Sequence, residues 1–265
     1  MNTTLITIFG ILFTFVCTML GASVVYFFKK DMSAKFGTFV LGFASGIMIS
    51  ASIWSLLIPA IEQSSNYGNL KFVPAVVGFL LGGIFLAILD KIVPNFEPNN
   101  AKNAKNSNQS AGYARLFKLF VAITLHNIPE GLAVGFAFGA ASVSGDVSAY
   151  LTALGLAIGI GVQNIPEGTA VSLPIKSLTK SRHKAFFYGT ASGAVEPLMA
   201  VVGYFLASNI TAIQPWILSF SAGTMLFVVI EELIPEANTH INKSHFGTWG
   251  AMLGFALMMI LDVVM

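Results

Sequence analysis

The feature that most constrains this chain is a series of long apolar runs, each about the length that a helix needs to cross a bilayer. A spanning helix takes about 20 mostly apolar residues. The sequence has eight such runs, at roughly 5–28, 36–61, 72–93, 115–141, 148–173, 185–208, 215–237 and 246–265. Only 10% of its residues are charged, against about 25% in an ordinary soluble domain. We therefore predict an all-α integral membrane protein, one transmembrane domain over residues 1–265, whose first run is a spanning helix and not a cleaved leader.

The distribution of basic residues predicts how the helices are oriented. Short cytoplasmic loops collect Lys and Arg, and 13 of the 14 basic residues flank alternate connections, while Lys71 alone lies on the other side. We therefore place both termini outside the cytoplasm. The third connection, residues 94–112, is rich in Asn, Lys and Ser, which predicts a flexible cytoplasmic loop. The basic residues assigned to the cytoplasmic side are Lys29, Lys30, Lys35, Lys91, Lys102, Lys105, Arg115, Lys118, Lys176, Lys180, Arg182, Lys184 and Lys243.

An internal repeat is the strongest motif in the sequence. Residues 126–134, His-Asn-Ile-Pro-Glu-Gly-Leu-Ala-Val, match residues 163–171, Gln-Asn-Ile-Pro-Glu-Gly-Thr-Ala-Val, at seven of nine positions. The predicted topology makes the two copies run in opposite directions, as in carriers built from inverted repeats. A weaker similarity relates residues 43–48 to 220–225, each followed by Leu-Ile-Pro. Together the two similarities predict three helices, two central helices and three inverted helices, a 3+2+3 arrangement.

The two copies place polar side chains on one face of each central helix. Residues four apart share a helix face, so His126 lies beside Glu130, and Gln163 beside Glu167. The proline of each copy lacks an amide hydrogen, so it frees a backbone carbonyl and bends its helix. Freed carbonyls within a bilayer have to be satisfied by protein, water or an ion. We therefore expect two kinked, polar helices to face each other across a hydrated cavity.

The carboxylates of the central region need a counter-charge. Glu130, Glu167 and Glu196 would together cost roughly 9 kcal/mol if they were charged and unpaired in the bilayer. No Lys or Arg lies in the interiors of these predicted helices, which leaves protons or metal cations to neutralise them. Imidazole and carboxylate suit zinc and other first-row divalent ions. The single cysteine, Cys17, rules out a thiolate cluster.

Several of these residues also have plainer interpretations. One Pro-Glu-Gly alone is more typical of a kink with a satisfied carboxylate, and a lone buried histidine is as typical of a core residue as of a ligand. The inverted second copy favours metal ligation for both. Met48 is by itself more typical of packing. Near the cytoplasmic end of the seventh run, Glu231, Glu232 and Glu236 are candidates for an exit pathway, although the first two fit a solvated rim equally well.

These motifs resemble the ZIP (Zrt/Irt-like protein) family of metal carriers, in particular its bacterial GufA-like branch, over nearly the whole chain. Gln163 stands where many members have His, and Asn164 where some close relatives have an acidic residue, so each position lacks a strong ligand or a charge. The resemblance implies one metal position formed by Met48, His126, Glu130, Gln163 and Glu167. It implies a second position, bridged to the first by Glu130 and Glu167, formed by Asn127, Glu130, Asn164, Glu167 and Glu196.

The expected function is transport of divalent transition-metal ions into the cytoplasm through a site between helices 4 and 5. Zinc is the first candidate, followed by iron, manganese and cadmium. We expect no enzymatic activity, no prosthetic group and no nucleic-acid partner; the resemblance implies a homodimer, and the Asn/Lys-rich linker fits a bacterial inner membrane. Two alternatives are a proton- or sodium-coupled carrier of a non-metal cation and a membrane-embedded metal-dependent hydrolase. The hydrolase is disfavoured because the chain lacks a His-Glu-x-x-His pair.

Overall fold

A computed structural model describes residues 2–27, 34–92, 107–209, 211–238 and 245–264, and all regular structure within them is helical. Short 3-10 turns at Ser65–Leu70 and Thr211–Ile213 join some of the helices. The helices are α1 (Thr3–Phe27), α2 (Ala34–Ala51, π-helical Ser52–Leu57 and Ile58–Gln63), α3 (Phe72–Ile92), α4 (Ser107–Ser144), α5 (Val147–Thr179), α6 (Arg182–Gly193 and Val195–Asn209), α7 (Gln214–Val228, π-helical Val229–Leu233 and Ile234–Asn238) and α8 (Phe246–Val264).

Each of the eight predicted apolar runs falls on one of these helices. Seven helices in the described ranges are long and apolar enough to cross a membrane by length and composition, and α4, with its polar repeat, is the eighth member of the bundle. The main difference lies at the start of α4. Its first turns, from Ser107, occupy part of the predicted 94–112 loop, of which residues 94–106 lie outside the described residues. Hydropathy detects the apolar part of a helix, whereas backbone hydrogen bonds continue α4 into a polar segment.

Two π-helical segments interrupt α2 and α7 at equivalent places. Each comes directly before the Ile-Pro of a Leu-Ile-Pro sequence, whose prolines are Pro59 and Pro235. Proline cannot donate to the carbonyl four residues earlier, on Ser55 or Glu231. A wider turn at this point is one way for a helix to absorb the lost hydrogen bond. The Leu-Ile-Pro similarity therefore marks the same distortion in both halves of the chain.

Glycines bring the outer helices into close contact in a repeated pattern. A Cβ added to Gly254 of α8 would lie 2.1 Å from the Phe43 carbonyl oxygen of α2, and one added to Gly82 of α3 would lie 2.2 Å from the Phe220 carbonyl oxygen of α7. Phe43 and Phe220 begin the weaker sequence similarity, so the α2–α8 and α3–α7 contacts are equivalent. Such backbone approach is how helices pack within a membrane.

The inner helices repeat this arrangement around the two motif copies. A Cβ on Gly131 of α4 would lie 2.4 Å from the Glu196 carbonyl oxygen of α6, and one on Gly168 of α5 would lie 2.2 Å from the Thr18 carbonyl oxygen of α1. Gly131 and Gly168 occupy the same place in the repeat, so Thr18 and Glu196 are equivalent positions. These matched contacts confirm the predicted 3+2+3 inverted arrangement.

The outer surface of the bundle is apolar, as expected for contact with lipid. Large hydrophobic side chains are exposed on several helices, for example Leu5 on α1, Leu80 on α3, Phe205 on α6 and Trp249 on α8. The polar side chains of the two motif copies, by contrast, are buried. The protein is thus a multi-pass membrane protein with a group of polar side chains buried among its helices.

Candidate metal centre

The two motif copies meet head to tail at the crossing of α4 and α5. His126 Nε2 of α4 lies 3.8 Å from Glu167 Oε1 of α5, and the Gln163 amide of α5 donates a hydrogen bond to Glu130 of α4. The first residue of each copy therefore contacts the glutamate of the other. This pairing requires the two segments to run in opposite directions, which agrees with the predicted inverted repeat.

Three side chains converge closely enough to surround one ion. Ligand atoms of His126, Glu130 and Glu167 all lie within 4.8 Å of one another, and His126 Nε2 is 3.1 Å from Glu130 Oε1. Zinc binds nitrogen and carboxylate oxygen at about 2.0–2.2 Å, so ligands around one ion are separated by about 3–4 Å. All three side chains are at most 2% exposed. The cluster therefore has the size and the chemistry of a divalent-metal site.

Most of the polar atoms in this cluster have no hydrogen-bond partner. They are both ring nitrogens of His126, Oε2 of Glu130, both carboxylate oxygens of Glu167 and the amide oxygen of Gln163. The 3.1 Å contact between His126 and Glu130 does not have the alignment of a hydrogen bond, so it leaves the ring nitrogen unpartnered. A buried polar atom without a partner costs about 1–3 kcal/mol, and a charged one costs more. A bound cation would satisfy one ring nitrogen of His126 and oxygens of Glu130 and Glu167, so the residues present fit a metal.

The prolines of the two copies do not end their helices. α4 continues through Pro129 and α5 through Pro166. The carbonyl oxygen of Pro129 accepts a hydrogen bond of 2.9 Å from the Ser221 hydroxyl of α7. This hydrogen bond links α4 to α7 beside the cluster.

Glu196 of α6 is held by the protein itself. Its Oε1 accepts a hydrogen bond of 3.0 Å from the Thr18 hydroxyl, and its Oε2 accepts one of 2.7 Å from the Asn164 amide. Asn127 donates at 2.9 Å to the backbone carbonyl of Ser192. Three residues that the family resemblance assigns to a second metal position are thus engaged in hydrogen bonds between helices.

The remaining candidate residues lie in different surroundings. Met48 is fully buried in an apolar cluster that also contains Met225 and Met258. Glu231 and Glu232 lie on the π-helical segment of α7, where Glu231 is exposed and Glu232 half-buried. Glu236 belongs to the last segment of α7, and its side chain is outside the described part of the structure.

Two hydroxyl residues at this centre were not predicted from the sequence. Thr18 lies in the first apolar run and contacts Glu196, and Ser221 lies in the seventh and contacts the Pro129 carbonyl. Hydroxyl groups satisfy polar partners within membranes, so the Ser and Thr residues inside the apolar runs were the available signal.

Comparison with known proteins agrees with this geometry. The family model described as ZIP Zinc transporter matches residues 4–115 and 97–262. Zinc transporter ZIP11 of Homo sapiens is 34% identical, with 96% of this chain and 95% of the relative covered. Zinc transporter ZupT of Chlorobaculum parvum is 32% identical, with 97% and 98% of the two chains covered. Zinc transporter GufA of Myxococcus xanthus is 33% identical, with 84% and 85% covered. A membrane bundle with a buried histidine–carboxylate cluster and full-length relatives of this kind shows that the chain belongs to the ZIP zinc transporter family.

Proposed function

We propose that this zinc transporter binds its cargo ion between α4 and α5, through His126, Glu130 and Glu167, and delivers it to the cytoplasm. The observation that carries the proposal is the convergence of these three buried side chains within 4.8 Å, with unpartnered atoms on each. A structural cluster would be expected to satisfy its own polar atoms. This one leaves them available to a cation.

The ligand types support a borderline-soft divalent cargo. One imidazole and two carboxylates suit zinc, and the same set accepts iron and manganese. The unpartnered amide oxygen of Gln163 is a further proposed ligand. Met48 is the other one, and its thioether would favour softer ions such as cadmium. The ion is cargo, and no catalytic step is assigned to it.

The direction of transport rests on the charge asymmetry of the loops. Thirteen of the 14 basic residues lie on the side assigned to the cytoplasm. Glu231 and Glu232 belong to the end of α7 that this topology places on the same side, and we propose them, with Glu236, as the exit pathway. Their carboxylates would attract a cation that leaves the buried cluster.

Alternating access is supported by the way the helices are linked. Hydrogen bonds and glycine contacts join α1 to α5 and α6, and α4 to α6. The proposed ligands other than Met48 all lie on α4 and α5, within this group. We propose that α1, α4, α5 and α6 move as one body against the other four helices, a movement that would break the hydrogen bond from Ser221 of α7 to Pro129 of α4. Double electron–electron resonance between spin labels on the two groups, with and without zinc, tests this movement.

Zinc uptake into proteoliposomes tests the site. Glu130→Ala should abolish uptake because it removes a buried ligand, while the protein still elutes as a folded species in detergent. Glu62→Ala is the matched control, since Glu62 is exposed in the last segment of α2 and its loss should leave uptake unchanged. Uptake by Glu130→Ala at the wild-type rate would sink the assignment. A further arm contains sodium and no divalent metal. Sodium flux in this arm would favour the alternative of a non-metal cation carrier.

Two further features are proposed on family grounds. The first is a homodimer, which multi-angle light scattering of the detergent-solubilised protein would test. The second is location in a bacterial inner membrane; bacterial relatives such as ZupT and GufA match the chain, and vertebrate ZIP11 proteins match it too. Fractionation of the native host cell would decide the location.

A further inference from the structure

The three buried carboxylates of the central region are not in equivalent states. Glu130 has one oxygen without a hydrogen-bond partner and Glu167 has two. Glu196, which is equally buried, has a donor on each oxygen, from Thr18 and from Asn164. Two of the carboxylates are therefore free to bind a cation, and the third is already satisfied by the protein.

Both amide hydrogens of Asn164 are used in this arrangement, whereas its amide oxygen, like that of Asn127, has no partner. Its two hydrogens have two acceptors, Glu196 Oε2 at 2.7 Å and the Thr14 carbonyl oxygen at 3.3 Å. A cation at Glu196 Oε2 would face the positive end of this amide dipole. To admit the ion, Asn164 would have to give up both hydrogen bonds at a buried position, where each unmade bond costs about 1–3 kcal/mol.

The other half of the inverted repeat shows what is specific to this side. Asn127, the counterpart of Asn164, donates to the Ser192 carbonyl oxygen, just as Asn164 donates to that of Thr14. The counterpart of Glu196, however, is Thr18, whose side chain carries a hydroxyl group in place of a carboxylate. The shared role of the two asparagines is to tie a central helix to its neighbour, and Asn164 alone also holds a carboxylate.

We infer that each protomer binds one divalent ion, at His126, Glu130 and Glu167. Asn164 determines this number because its amide donates a hydrogen bond to Glu196 where a second cation would otherwise bind. The inference rests on the proposed function and deepens it. A neutral amide at position 164 supplies hydrogen bonds to Glu196 in place of a second cation. A carboxylate there would instead face Glu196 across the same gap and would require a cation or a shared proton between them.

The experiment counts the ions bound to each protomer. Purified protein in detergent is dialysed to equilibrium against zinc and analysed by native mass spectrometry, with protein-free dialysate as the blank. Wild type should bind one zinc ion, and Asn164→Asp should bind two. Asn66→Asp is the control: it makes the same substitution on the exposed 3-10 turn Ser65–Leu70, so it should still bind one. The double variant Asn164→Asp with Glu196→Gln should return to one, because it removes the carboxylate that faces position 164.

The outcomes separate this inference from the proposed function. Two ions on the wild type, falling to one in Glu196→Gln, would overturn the inference and leave the transport site standing. One ion on a folded Asn164→Asp protein would overturn the role of Asn164. Glu196→Gln in the wild-type background covers the case in which Asn164→Asp does not fold, since one ion on both wild type and this variant supports the inference. If wild type bound no zinc and Glu130→Ala transported normally, the proposed function itself would fail.

Discussion

Gly168→Ala would place a methyl group where α1 and α5 touch, directly after Glu167. The new Cβ would lie 2.2 Å from the Thr18 carbonyl oxygen, and ordinary contact begins at 3.4 Å, so the helices would have to separate by about 1.2 Å. Overpacking of this kind costs about 1–3 kcal/mol. Gly168 directly follows Glu167, so the separation would disturb the proposed metal site. We expect a lower Tm in detergent and reduced zinc uptake.

Gly83→Ala provides the control for this change. Gly83 lies on α3, and the nearest atom to an added Cβ is Cδ2 of Phe227 at 3.8 Å, which is ordinary contact. Since alanine also stabilises a helix by about 0.5–1 kcal/mol relative to glycine, this variant should match or exceed the wild-type Tm. Differential scanning fluorimetry on the two purified variants compares them directly. If Gly168→Ala were as stable and as active as Gly83→Ala, close packing of α1 against α5 would not be required for stability or zinc uptake.

Three other predictions concern the metal. Zinc should bind more weakly as the pH falls, because His126, Glu130 and Glu167 must be deprotonated to act as ligands; apparent affinity drops about tenfold per pH unit for each proton displaced, and a titration with unchanged affinity at lower pH would contradict their role. Zinc at a hundred times its Kd should stabilise the folded protein by about 2.7 kcal/mol; Glu167→Gln should lose this Tm increase, whereas Glu62→Gln should keep it. Met48→Leu should reduce cadmium uptake more than zinc uptake, because a thioether favours soft ions; an equal effect on both metals in a competition assay would make Met48 a packing residue only.

The sequence was sufficient to predict the parts of the fold that depend on local pattern. Apolar runs indicated the helices because the bilayer fixes their length, and the two motif copies indicated the inverted central pair because a four-residue spacing fixes a helix face. His126 and Glu130 could be paired in this way from their spacing alone. Glu167 joined them because the second copy repeats the spacing around Gln163.

The parts that the sequence did not predict depend on contacts between distant segments. Thr18 and Glu196 are 178 residues apart in the chain, and nothing local shows that their helices cross at this level. The sequence therefore could not show that Glu196 is hydrogen-bonded within the protein while Glu130 and Glu167 have unpartnered oxygens. Pro59 and Pro235 each remove a helical hydrogen bond, but whether a helix then forms a kink or a π turn depends on what packs against it.

The charge composition of the two central helices has an electrical consequence. Residues 119–175 contain no Lys or Arg, so in the proposed cycle the cargo itself balances Glu130 and Glu167. Once the ion is released, the carboxylates either stay negative or take up protons. The empty transporter then resets by moving charge, at about 2.3 kcal/mol per elementary charge for each 100 mV, or by carrying protons outward. The membrane voltage or the pH gradient thereby enters the driving force for every ion delivered.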